Sequence, residues 1–329
     1  MFPWEAKREL VIKAEEETSP DYGYIPLERP LQEYINFGMV NLDKPPGPSS
    51  HEVAAWTKRL LQLQRIGHGG TLDPRVTGIL PIVLQDAIKI TQALLQSSKE
   101  YICVTRLHSA VSENRIKAVL SEFVGAIYQR PPIRASVKRR LRTRTIYYLR
   151  LLEVNDRNVL FQVGCEAGTY IRKLSHDIGE ALGCGAHMQE LRRTRSGSLT
   201  EDSNLVTLQD MSFYLAQYRD TQDEKHLRRF IQPMENALQL LPKIIIRDSA
   251  VSAICHGANL TAPGVLALET GIDSDDTVVI STQKEEAVSL AVALASTESI
   301  LKKDHGFVAR TTRVLMPRGI YPKRWRLHR

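Results

Sequence analysis

The densest chemical signal in the sequence is Gly67-His68-Gly69-Gly70-Thr71-Leu72-Asp73-Pro74, which runs on through Thr77-Gly78-Ile79-Leu80-Pro81. Its glycines let backbone approach other backbone, or a ligand, closely. One carboxylate, Asp73, stands at the end of the run. Read locally, Asp73-Pro74 is also a helix start, with aspartate as cap and proline in the first helical position. A phosphate-cradling loop is excluded, because the G-x-x-x-x-G-K-[ST] spacing and its lysine are missing. The loop marks a special backbone and leaves the reaction type open.

Charge narrows the partner. The net charge of +7 (44 cations against 37 acids) is mild, but its distribution is not. Residues 129–144 carry seven cations and no acid: Arg130, Arg134, Lys138, Arg139, Arg140, Arg142 and Arg144. Residues 305–329 carry seven more, interleaved with Tyr321 and Trp325. A solvated face mixes signs, whereas an all-basic stretch suits a phosphate backbone whose counterions it displaces. Nucleic acid is therefore the expected partner. Four scattered cysteines (Cys103, Cys165, Cys184, Cys255) without a C-x-x-C fit buried thiols in a reducing compartment. Cys184 and His187 make a two-ligand fragment, too little for zinc, so no metal is expected. No apolar run approaches the ~20 residues of a membrane span, and the start MFPWEAKREL lacks a signal peptide's apolar core. The expectation is a soluble, intracellular protein.

The elements that must position these residues can be read in outline. The length of 329 residues suits two domains. Residues 1–36 read as an arm. GMVNL from Gly38 is a short strand, and DKPPGPSS a rigid turn. Ser49 then opens a helix through a capping box with Glu52, placing Val53, Trp56, Leu60 and Leu61 on one face. A second helix spans about 112–125, with Ile116, Val119, Leu120 and Phe123 inward. Strands are predicted over 101–107, 145–154 and 159–165, the last two joined as a hairpin by Asn155-Asp156-Arg157-Asn158. A third helix follows Tyr170, with Ile171, Leu174, Ile178 and Leu182 at helical spacing. Hairpins mixed with helices favour an α+β core on a mixed, mostly antiparallel sheet. Beyond about residue 238 the texture becomes short strands (KIIIRD, GVLAL, TVVIS, ARTTRVLM) with one helix around 285–295. The predicted division is arm 1–36 packing on the C-terminal domain, core 37–238, and a small β-rich domain 239–329.

The motifs together resemble the TruB-type pseudouridine synthases, specifically the dyskerin branch that works in H/ACA ribonucleoproteins. Besides the Asp73 segment, the resemblance rests on Asn41-Leu42-Asp43-Lys44-Pro45-Pro46-Gly47, Lys99-Glu100-Tyr101, Gln129-Arg130-Pro131-Pro132, Gly168-Thr169-Tyr170-Ile171-Arg172 and Met188-Gln189-Glu190-Leu191-Arg192-Arg193. It implies the pseudouridine-synthase fold and a reaction in which uracil leaves C1′ of ribose, turns, and rejoins through C5. Asp73 stands where the family has its essential carboxylate; whether it attacks, stabilises or takes a proton stays open. Tyr101 is similar to the aromatic that stacks on a flipped uracil. Tyr170 matches a second tyrosine near the base, and Arg172 the arginine that pairs with the aspartate. His68 and Leu191 match pocket positions, while Lys44 and Pro45 resemble the motif that supports the catalytic loop.

The C-terminal region resembles a PUA domain through Arg247-Asp248-Ser249-Ala250, His256-Gly257-Ala258-Asn259-Leu260 and Pro263-Gly264-Val265-Leu266. It departs from that pattern at Ser274-Asp275-Asp276, where a Gly-Asp turn is usual, and after Glu285-Glu286, where glycines are frequent. The resemblance implies a guide RNA, a target RNA and small H/ACA core proteins as partners, one copy per RNA hairpin, and no cofactor. RNA contacts are expected from Arg139, Arg140, Arg142, Gly257, Ala258, Lys323 and Arg324. The absence of long lysine-rich tails points to an archaeal, cytoplasmic protein. A stand-alone transfer RNA pseudouridine synthase and an inactive RNA-binding scaffold are the alternatives.

Overall fold

The computed structural model describes residues 2–131, 140–202 and 204–323. The arm contributes a strand, β1 (Leu10–Ile12), and a helix, α1 (Leu31–Asn36), that leads into β2 (Gly38–Lys44). Helix α2 (Ser50–Leu61) starts at the expected capping box: Ser49 Oγ accepts from Glu52 N at 3.2 Å, and Glu52 Oε2 accepts from Ser49 N at 2.8 Å. Its buried face is Ser50, Val53, Ala54 and Thr57, all small, so the helix lies close to the sheet. Trp56, expected on that face, is instead 39% exposed. Then come β3 (Ile66–His68), β4 (Thr77–Leu84), α3 (Thr91–Gln96), β5 (Lys99–Leu107), α4 (Glu113–Glu122) and β6 (Gly125–Gln129). Strand β7 (Arg142–Asn155) and β8 (Asn158–Cys165) form the expected hairpin, with Asn155 paired to Asn158 and Asp156 at a left-handed φ of 51°.

Helix α5 (Ile171–Leu182) buries Ile171, Leu174, Ile178 and Leu182, the spacing read from the sequence, and ends on Gly183 at φ 78°. It is followed by β9 (Ala186–Ser196), β10 (Leu199–Thr200), β11 (Leu205–Val206), α6 (Leu208–Thr221), α7 (Lys225–Arg228) and β12 (Ile231–Pro233). The remaining elements are β13 (Lys243–Ile246), α8 (Asp248–Cys255), β14 (Leu260–Thr261), β15 (Val265–Glu269), β16 (Thr277–Ser281), β17 (Ala287–Ala293), α9 (Thr297–Lys302) and β18 (Phe307–Val314). No helix among the described residues is long and apolar enough to cross a membrane.

Two sheets result. The larger runs β11-β2-β4-β9-β5-β8-β7-β6, with β10 on β9, β12 on β2 and β3 on β4; the smaller runs β1-β15-β13-β16-β17-β18-β14. Among the described residues, only β11–β2 and β4–β9 are parallel in the larger sheet, and only β13–β16 in the smaller. Helices α4 and α5 cover one half of the large sheet, burying Ile116, Leu120, Leu174 and Ile178 with Tyr101, Cys103 and Phe161. The other half is covered by α2, α6 and α7 around Val53, Met211 and Leu227. A further apolar cluster joins the sheets, packing Phe37, Met39, Ile79 and Val83 against Val279, Ala287, Leu290 and Leu315.

The helix expected around 285–295 is strand β17, paired with β16 and β18. Ala287 and Leu290 face the cluster between the sheets, while Val288, Ala291 and Ala293 face the core of the small sheet. A strand buried on both faces loses the alternation that marks strands, and its alanines read as helix by propensity alone. Both departures from the PUA glycine pattern fall on left-handed backbone, Asp275 at φ 73° and Glu285 at φ 68°. The turns keep their shape with side chains in place of glycine.

Candidate active site

The Asp73 loop is held from three sides. Lys44, fully buried at the end of β2, donates from Nζ to the carbonyls of Pro45 (2.8 Å), Pro74 (2.9 Å) and Val76 (2.9 Å). Gly47 N donates to Pro74 O at 2.9 Å. Ser50 Oγ, in the first turn of α2, accepts from Leu72 N at 2.8 Å and donates to Leu72 O at 3.1 Å. Pro74 and Arg75 form a turn closed by Val76 N on Asp73 O at 3.0 Å, so Asp73-Pro74 does not start a helix. Burial pulls the Lys44 ammonium below the ordinary lysine range, against which three carbonyls hold its proton.

Arg172, in the first turn of α5, donates from Nη2 to Asp73 Oδ2. Both side chains remain about half exposed, Asp73 50% and Arg172 56%, so the pair faces an open cleft. Tyr170 precedes the helix, and its backbone is fixed on both sides by buried Gln129: Tyr170 N donates to Gln129 Oε1 (2.9 Å), and Gln129 Nε2 to Tyr170 O (3.1 Å). The floor is apolar. Leu72, Val76, Tyr101 and Ile171 share one buried cluster, with Leu191 packed against it. Residues flanking Asp73, residues flanking Arg172, and Tyr101 thus meet although they come from distant parts of the chain.

His68 lies half-buried beside this loop, its ring 4.9 Å from that of His51 in an edge-on contact, with Nδ1 buried and unpartnered. Burial first, then His51 and Arg193, lower its pKa and keep it neutral. The sequence reading missed Arg193 and Gln129 as individual site residues. Arg193 is 1% exposed; its Nε donates to Ile79 O at 2.7 Å and its Nη2 to Gly70 O at 3.2 Å. A signal did exist: Arg192-Arg193 sit adjacent on a strand, so one of the two must point inward. Arg192 takes the outer side and forms a two-bond pair with Asp43 at 3.0 and 2.9 Å.

A groove of about 1050 Å³ runs along α5 from Arg172 past Lys173 and His176, walled by Phe123, Tyr128 and Met188. Tyr128 is 71% exposed at its edge. Arg140 is exposed just before β7, and Arg142 begins that strand. Gly257 and Ala258 lie exposed after α8, Gly257 at φ 88° with open space where a side chain would stand. Lys323 is exposed; Arg139 and Arg324 lie outside the described residues. Among the described residues no three metal-ligating side chains converge.

Comparison with known proteins shows the family of the chain. Residues 58–171 match the TruB family pseudouridylate synthase (N terminal domain), and residues 172–239 the tRNA pseudouridylate synthase B C-terminal domain. Residues 1–54 match the DKCLD (NUC011) domain and residues 242–315 the PUA domain. The chain is 54% identical to a probable tRNA pseudouridine synthase B of Pyrococcus horikoshii, over 99% of this chain and 98% of that relative. It is 54% identical to the like-named protein of Methanopyrus kandleri, over 99% and 96%. Among solved structures, it superimposes on a chain of a Cbf5-Nop10-Gar1 complex with TM-score 0.94 and 52% identity, covering 98% of both chains. A chain of an H/ACA RNP bound to a substrate RNA containing 2′-deoxyuridine gives TM-score 0.92 and 49% identity, covering 99% of this chain and 100% of that one. With near-complete coverage at about half identity, the chain belongs to the TruB-type pseudouridine synthase family, in its dyskerin branch.

Proposed function

We propose that the protein is the catalytic subunit of a guide-RNA-dependent H/ACA ribonucleoprotein that isomerises uridine to pseudouridine in ribosomal RNA and in transfer RNA, working in the cytoplasm. The observation that carries this reading is the Asp73 carboxylate on a clamped loop, paired with Arg172 at an open cleft. Cleaving the bond to N1 builds positive charge at C1′, which one adjacent carboxylate answers. A glycosidase needs a second carboxyl group to protonate its leaving oxygen; uracil delocalises its own charge and stays bound. Arg172 pairs with Asp73 and keeps it aimed into the cleft. Tyr101 provides the stacking face for the extruded base, Tyr170 and Leu191 border it, and His68 is a neutral hydrogen-bonding group beside it. Lys44 and Pro45 support the loop. Arg139, Arg140, Arg142, Gly257, Ala258, Lys323 and Arg324 contact RNA, the last four from a C-terminal RNA-binding domain placed at 239–329. The arm 1–36 and the catalytic domain 37–238 complete the division. The solved relatives in complex with Nop10, Gar1 and substrate RNA support the ribonucleoprotein setting.

The curated relatives' name favours a second reading, a synthase that acts on transfer RNA without a guide. Nucleoside chromatography of digested RNA separates the two. A guide–target pair with the partner proteins is run beside bare transfer RNA, each with an Asp73→Asn control. Conversion that needs both guide and Asp73 is expected. Conversion of bare transfer RNA alone establishes the second reading, and no conversion by a folded, RNA-binding protein leaves a scaffold.

A further inference from the structure

Among the described residues, Arg193 is the largest side chain that is almost fully enclosed, at 1% exposed. No acid stands among its partners on the described residues. Its guanidinium bonds are to carbonyls, those of Ile79 in β4 and Gly70 in the loop before Asp73. A buried cation without a counter-charge is costly, so its retention calls for a use. Its neighbours indicate one. Across the sheet, β4, β9 and β5 place Gly78, Arg193 and Tyr101 in one register row. Tyr101 is the cross-strand partner of Arg193, and while burial raises the Tyr101 pKa, the neighbouring guanidinium opposes that effect. Glycine is required on two sides of it: a Cβ at Gly78 would overlap the Arg193 backbone, and Gly70 adopts a φ of 130° that side chains rarely take.

We infer that Arg193 is a positioning residue for the isomerisation, tying the backbone of the Asp73 loop to the Tyr101 hydroxyl so that carboxylate and stacking face stay in fixed relation as the base turns. The inference rests on the proposed reaction. In that reaction the C1′–N1 bond breaks with its electron pair passing to the base, which becomes an anion spread over N1, O2 and O4. C5 then forms the new bond to C1′, the proton on C5 leaves, and N1 gains one, so the product is an isomer. A turning base needs a platform that does not move with it, and a preorganised donor to that platform costs no reorganisation at the moment of reaction.

The test is a double-mutant cycle in the assembled guide complex, with Arg193→Lys, Tyr101→Phe and the pair, reading single-turnover conversion and target RNA affinity separately. Arg193→Lys is expected to slow conversion at saturating protein by roughly hundredfold, the lower end of the range for losing a preorganised donor, with affinity nearly unchanged. In the Tyr101→Phe background the same replacement should cost far less, because the hydroxyl it acts through is gone. Equal losses in both backgrounds, or a loss confined to RNA affinity, would overturn the assignment. Should Arg193→Lys fail to fold, Tyr101→Phe alone decides: it keeps the ring, and conversion at the parent rate overturns the inference, whereas slowed conversion at parent affinity supports it. A parent complex that converts nothing points to failure of the functional reading instead.

Discussion

At the scale of single residues, the proposed site consists of one half-exposed carboxylate, Asp73, and several buried polar groups that hold its loop. Lys44 shows the logic. An ammonium buried this completely is tolerated only because three carbonyls accept its hydrogen bonds, and two of them, Pro74 and Val76, belong to the loop that carries Asp73. Lys44→Met keeps the volume and removes the donor. Its expected cost is at least about 1–3 kcal/mol of stability, the penalty for one stranded buried acceptor, together with a larger loss of conversion rate. Denaturant unfolding and single-turnover kinetics on the same preparation check both; parent-like kinetics would detach Lys44 from the loop's function. Gln129 and Arg193 act in the same way on Tyr170 and Gly70. They escaped the sequence reading because glutamine and arginine are ordinarily surface residues, and only the register of β9 turns Arg193 inward.

At the scale of elements, the large sheet brings Asp73, Tyr101 and Arg172 together by pairing β9 between β4 and β5. The parallel β4–β9 pairing depends on Gly78, which adopts φ 96° with the Arg193 backbone where its side chain would be. Gly78→Ala should therefore strain or break that pairing, costing upward of about 1–3 kcal/mol for the backbone conformation alone and more for the overlap. An unchanged melting temperature would remove this account of the glycine. The helices were legible beforehand, since α2, α4 and α5 carry their own signals: a capping box, 3.6-residue apolar spacing and a closing glycine. Trp56 was misplaced because α2 packs by its small residues. β17 was misread because burial on both faces erased its period.

At the scale of the whole molecule, the arm binds the two sheets into one body. Phe2 and Trp4 pack on Tyr148 of the large sheet, with ring centroids 4.8 and 6.0 Å away. β1 then joins the small sheet, and α1 returns to the large one. Between the sheets, Arg29 makes two bonds to Glu235, at 3.0 and 2.7 Å, and lies 3.9 Å from Glu286. Arg29 and Glu286 are almost fully buried, at 4% and 3%. Burial raises the Glu286 pKa, which Arg29 only partly offsets. Arg29→Met leaves two neighbouring carboxyls without their cation, and about 3–5 kcal/mol should be lost. Because a raised carboxyl pKa contributes stability below the unfolded value that is lost as pH rises through the folded one, the variant should recover stability on mild acidification. Chemical denaturation as a function of pH checks this, and a pH-independent deficit would count against it.

The resemblance of several motifs implied the family and singled out Asp73, whereas local spacing alone was enough for the α+β class and for the helices that advertise their ends, because caps, apolar periods and closing glycines are written locally. Long-range packing alone makes Leu10–Ile12 a strand of the small sheet, turns 287–293 into a strand, and buries Arg193 beside Tyr101. Those outcomes depend on which surface covers a segment and which strand lies beside it, and such pairing between separate stretches of chain leaves no mark in the local pattern of either.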